Sequence, residues 1–168
     1  MRKLVLAFAI ISMLPFWGNA QKINWMAFEE AVALNKTAPK KIIIDVYTDW
    51  CGWCKKMDQS TFQNPEVVAY INENFYAVKF NAETTAVITW SGYTYINENA
   101  QLGQRGPHQL AKTLLRGSLS YPSYVFLDES NRLLTVAPGY MEPKEFMPVL
   151  KYISTNAYKT QTFNDYIK

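Results

Sequence analysis

Cysteine is almost missing from this chain: Cys51 and Cys54 are the only two among 168 residues. Histidine is scarcer, with His108 alone. Three such groups cannot complete a four-ligand zinc site. With no third thiol to bridge a long loop, a multi-disulfide scaffold is excluded too. No Lys/Arg-rich block occurs, and the net charge is only +3, so an electrostatic footprint for nucleic acid is lacking. Internal repeats, low-complexity stretches and linkers of domain-boundary character are also absent. What is present is 49% hydrophobic and 18% charged, the composition of one globular domain long enough to bury a core.

The first twenty residues, "MRKLVLAFAIISMLPFWGNA", stand apart. Arg2 and Lys3 precede an apolar run over 4–14, broken by Pro15 and closed by Gly18-Asn19-Ala20. This three-part pattern reads as a secretory signal at residues 1–20, cleaved before Gln21. The run is well short of the roughly 20 residues that span a bilayer, so no stable membrane insertion is expected after cleavage. Removing the segment leaves 15 basic and 14 acidic residues, a net charge of +1. Export, to the periplasm or alternatively by full secretion, changes what the cysteines are for. A staple gains most from closing a long loop, and Cys51–Cys54 would close a tiny one. A thiol pair used for exchange remains.

Along the rest of the chain, "INWMAFEEAVALNKTA" puts Trp25, Phe28, Ala31 and Val32 on one helical face. "KIIIDVY" (41–47) suits a strand buried on both sides, and the cysteine segment follows as a strand-to-helix turn. Pro65 opens a helix with Val67, Val68 and Ile71 at helical spacing, and "FYAVKF" (75–80) is the next strand. "VITWSGYTYI" (87–96) reads as a hairpin turning at Ser91-Gly92, followed by a polar loop. A helix begins at Pro107 and stops at Gly117. "SYVFLD" and "RLLTVA" form an antiparallel pair, and "PKEFMPVLKYI" is a terminal helix containing Pro148. The tail, residues 154–168, has no clear pattern. The expectation is an α/β protein: a mixed central sheet between helices, with the thiols at the carboxyl end of a buried strand.

Asp45, six residues before Cys51, followed by Trp50-Cys51-Gly52-Trp53-Cys54-Lys55, resembles the active-site stretch of the thioredoxin-fold superfamily. Tyr121-Pro122, just before "SYVFLD", resembles the loop that carries that fold's cis-proline. Gly139 with Glu145-Phe146 resembles its closing segment. Within the superfamily, "DVYTDWCGWCKKMDQSTFQNPEV" is most similar to the periplasmic thioredoxin-like domains of DsbD-type thiol–disulfide interchange proteins. The resemblance implies a thioredoxin-like three-layer domain over 21–153, with a hairpin-and-loop insert at about 84–105 before the helix that precedes the cis-proline.

The chemistry of the motif agrees. A thiolate attacks disulfides, and a cysteine at a helix N-terminus has its pKa lowered by unpaired N–H groups and the helix dipole. Cys51 is then the nucleophile and Cys54 the resolving thiol. Asp45, in an apolar run, is either a salt-bridged acid or, as the resemblance implies, a proton shuttle for Cys54. Lys79 matches the family's lysine near that acid, or is a solvated strand lysine. Asp58 matches a second acid of DsbD-type domains, or is an exposed helix acid. The resemblance gives Tyr121 and Pro122 the task of pairing with a substrate strand; Trp50 and Trp53 would flank the thiols as an apolar docking surface. The family's smaller residues stand where Tyr121 does, and Pro replaces Trp53 in thioredoxins themselves.

The expected function is an exported thiol–disulfide oxidoreductase, acting as a reductant on protein disulfides. It needs no cofactor beyond the Cys51–Cys54 couple, no nucleic acid, and a membrane thiol donor for its electrons. The alternatives are a redox-inactive binding module, an oxidant or isomerase with the same chemistry, and a metallochaperone joining the thiols to His108.

Overall fold

A computed structural model of the protein describes residues 21–168. The signal expected at residues 1–20 lies outside the described residues. Five strands form the main sheet in the order β1-β3-β2-β6-β7: β1 (Trp25–Met26), β2 (Lys41–Tyr47), β3 (Phe75–Asn81), β6 (Ser123–Leu127) and β7 (Leu133–Pro138). The first three run parallel, and β6 and β7 are antiparallel to their neighbours. A separate hairpin, β4 (Ile88–Trp90) and β5 (Tyr93–Tyr95), turns at Ser91 and Gly92, both at positive φ, the backbone a tight two-residue turn demands.

The central strand explains the layers. On β2, Ile42, Ile44 and Val46 enter one core and Ile43 the other, so the run is apolar without alternation. The first core is closed by α1 (Phe28–Leu34) and α5 (Gln109–Leu114), through Phe28, Ala31, Leu110, Ala111 and Leu114. The second is closed by α2 (Gly52–Gln59), α3 (Pro65–Asn74) and α6 (Pro143–Ser154), through Met57, Val67, Val68, Ile71, Phe146 and Leu150. By the two-residue period of a strand, Asp45 points into this second core with Ile43.

Local chemistry sets the helix ends. Asn64 accepts from the N–H groups of Glu66 and Val67, with Pro65 at the first helical position. Gly117, at φ +81, brings its N–H to the Lys112 carbonyl and ends α5. Pro148 sits inside α6, where it removes one backbone bond at a cost of about 3 kcal/mol. Burial of Phe146, Leu150 and Ile153 on one stripe, each worth roughly 1.5–3 kcal/mol, outweighs that loss.

Two sequence expectations change. Trp25 belongs to no helix: it pairs with Ala77 as the sheet's parallel edge, its ring 5.2 Å from Phe62, and α1 begins only at Phe28. Tertiary packing overrides the local helical spacing. The polar stretch after the hairpin also holds a short helix, α4 (Glu98–Gln101), capped by the Asn97 side chain at the Ala100 N–H. The tail forms a one-turn helix, α7 (Phe163–Tyr166), and Tyr158, Phe163 and Tyr166 surround Tyr152 of α6 at 5.3–6.4 Å.

Candidate active site

Cys51 is the N-cap of α2, just past the carboxyl end of β2. Its Sγ accepts from the Cys54 backbone N–H at 3.0 Å, so negative charge on that sulfur meets an unspent helix donor. The two cysteines are joined as a disulfide. They are 5% and 2% exposed, whereas the flanking Trp50 and Trp53 are 56% and 57% exposed. The Tyr121–Pro122 peptide bond is cis, and the Tyr121 ring stands edge-on to Trp50 at 5.9 Å. The buried pair is therefore flanked by two exposed tryptophan rings.

On β2, whose carboxyl end leads into the cysteine turn, Asp45 is 1% exposed. Lys79, beside it on β3, donates to Asp45 Oδ2 at 2.9 Å and also to Asp58 Oδ1. Burial pushes the Asp45 carboxyl up to about 6, against the pull of Lys79 and helped by Asp58. Burial alone would lower Lys79, but the two carboxylates outweigh it and its pKa is raised. The rings of Trp25, Tyr47 and Phe62 lie within 5.4 Å of the Lys79 ammonium, and Asp58 and Lys79 line a surface cleft of about 380 Å³ with Trp25 and Phe62. The acids and lysine singled out in the sequence thus form one chain, from a buried carboxyl to a half-exposed one. Lys79 is no solvated strand lysine.

Five residues of the site, Tyr140, Lys56, Tyr124, Glu83 and Arg105, were not singled out in the sequence. Tyr140 packs on Trp53 at 5.4 Å, with the Lys56 ammonium over both rings. Tyr124 stands directly opposite Asp45 in the β2–β6 ladder, and burial raises its hydroxyl pKa. Glu83 accepts from the Trp50 indole N–H at 3.1 Å and from Arg105 at 2.8 Å. Only Tyr124 had a readable signal, because pairing "IIIDVY" against "SYVFL" antiparallel sets it beside the acid. His108 does not face outward. Fully buried, it caps α5 by accepting from the Leu110 N–H at Nδ1, and its Nε2–H donates to the Ala86 carbonyl. Both ring nitrogens are occupied, which leaves none for a metal. Among the described residues no helix is long and apolar enough to cross a membrane.

A family profile for a thioredoxin-like domain matches residues 28–154. The thiol:disulfide interchange protein DsbD of Actinobacillus pleuropneumoniae serotype 5b (strain L20) is 27% identical over 138 residues, covering 77% of this chain and 20% of that protein. The chain therefore spans about a fifth of that relative's length. Among solved structures, a DsbH oxidoreductase superposes with a TM-score of 0.57 at 18% identity, covering 96% of each chain. A thioredoxin from Thermus thermophilus gives 0.57 at 17% identity, covering 79% of this chain and 87% of the other. Likeness at that level of identity speaks for the fold.

Proposed function

The chain belongs to the thioredoxin-like family, and from that premise we propose that it is a thiol–disulfide oxidoreductase that reduces protein disulfides. The observation that carries this reading is the placing of Cys51 Sγ at the N-cap of α2, bonded to Cys54 and facing the Cys54 N–H. A thiolate there is stabilised by the helix dipole and a backbone donor. The two thiols need no further cofactor.

In the reduced protein, the Cys51 thiolate attacks one sulfur of a substrate disulfide. That S–S bond breaks, a mixed disulfide forms, and the other substrate sulfur leaves as a thiolate and takes a proton from water. Cys54 then gives its proton to the Asp45 carboxylate and attacks Cys51 Sγ. The Cys51–Cys54 bond forms, and the second substrate thiolate departs. Two electrons have passed to the substrate. With a pKa of about 6, Asp45 is mostly ionised at neutral pH yet basic enough to accept the proton. Lys79 and Asp58 return that proton toward the cleft they line. Tyr121, beside the cis-proline, offers its backbone to the substrate strand, and Trp50 and Trp53 hold the substrate's apolar flanks.

Residues 1–20 direct export to the periplasm, where a membrane thiol donor refills the pair with electrons. Cys51→Ser is expected to abolish reduction of protein disulfides, and Cys54→Ser to trap a mixed disulfide with the substrate on non-reducing gels. Full activity of Cys51→Ser would sink the assignment.

A further inference from the structure

The insert does more than decorate the fold, because it reaches the active-site tryptophan. Asn97, buried at the start of α4, donates to the carbonyls of Glu83, Thr84 and Gly106. That clasp holds Glu83 at the edge of the Trp50 ring, where one carboxylate oxygen accepts from the indole N–H, and Arg105 closes on the other Glu83 oxygen. Between Trp50 and the insert lies a cleft of about 510 Å³, lined in part by Asp49, Asn81, Glu83, Gln104 and Arg105.

The charges of this cleft do not cancel. Arg105 is spent on Glu83, whose pKa is lowered by that partner and the Trp50 N–H despite some burial. Among the described residues, the Asp49 side chain accepts only from the neutral Asn81 amide, at 3.2 Å. Among the described residues, Asp49 has no cationic partner, and it lines the cleft with the half-exposed Trp50. A cationic side chain fits both at once, stacking on the ring and pairing with the acid.

We propose that this cleft is a substrate subsite for a lysine or arginine within a few residues of the target cysteine. The subsite rests on the exchange reading above. The opposite flank of the thiols carries Lys56 over Trp53 and Tyr140, so the face is polarised and a basic residue gains only on the insert side.

The test compares second-order rate constants of the reduced protein with two peptide disulfides that are identical except for Lys or Glu two residues from the cysteine. A small uncharged disulfide, hydroxyethyl disulfide, reports the chemistry itself. The Lys peptide is expected to react roughly threefold to tenfold faster, the advantage shrinking as salt is raised. Asp49→Asn should bring the ratio close to one. Arg105→Gln, which uncovers the Glu83 charge, should increase it. Equal rates, or a Lys preference that survives Asp49→Asn, overturn the subsite, since the preference then comes from the surface at large. A Glu preference lost in Arg105→Gln overturns it too, by making Arg105 the recognition group. No reaction even with hydroxyethyl disulfide removes the exchange reading, and the subsite falls with it.

Discussion

At the scale of single residues, Asp45 governs the proton chemistry of the site. A carboxyl in a strand of isoleucines loses its hydration, and one ammonium 2.9 Å away returns only part of that loss. The balance leaves its pKa at about 6 instead of the ordinary 3.8. Between those values the folded protein holds a proton that the unfolded chain has released. Stability therefore falls as pH rises from about 4 to about 6, by on the order of 3 kcal/mol, and is level above. Asp45→Asn should flatten that slope in urea melts at graded pH, and should slow the resolving step at pH 7 by about a hundredfold. Lys79→Met removes the group that pulls the carboxyl down, so the pH profile of resolution should move to higher pH. A profile unchanged in Lys79→Met would separate the lysine from the proton path. Of these residues, the type and position of Asp45, Lys79 and Asp58 were legible in the sequence. The nearness of Lys79 to Asp45 came from the resemblance and not from the residues themselves, because it depends on the β2–β3 register, a tertiary property; that Lys79 also reaches Asp58 had no signal in the sequence.

At the scale of elements, strong local chemistry was legible and weak local chemistry was not. The run of β2, the Pro65 helix start and the Ser91-Gly92 turn each carry their own signal. Trp25 does not: its helical spacing is real, but edge pairing with β3 and contact with Phe62 decide its place. His108 shows how a helix cap can tie the segment before the hairpin to the start of α5. Its neutral ring spans the start of α5 and the Ala86 carbonyl, and burial lowers its pKa. The unfolded imidazole takes a proton near 6.5, whereas the folded one resists it to lower pH. The cap is thus fully effective above about 6.5 and lost as pH falls, opposite in sign to Asp45. His108→Ala should cost about 2 kcal/mol in urea unfolding at pH 7. A loss near zero would mean that the Asn97 bonds to Glu83, Thr84 and Gly106 hold this segment without His108.

At the scale of the whole molecule, the family match covers residues 28–154, so the hairpin segment lies within it and the tail beyond it. The tail's composition concealed its role, since Tyr158, Phe163 and Tyr166 have no period of their own and become legible only around Tyr152. Deleting residues 157–168 should lower the melting temperature by several degrees while exchange by the thiols, far along the chain, persists. The central claim concerns two electrons. The most direct test is the reduction potential of the Cys51–Cys54 pair, read by trapping free thiols after equilibration in graded thiol buffers. One reversible two-electron transition is expected near about −270 mV, the poise of a thioredoxin-like reductant. A value near about −120 mV would contradict the direction of electron flow, and no reversible transition at all would contradict the redox couple itself.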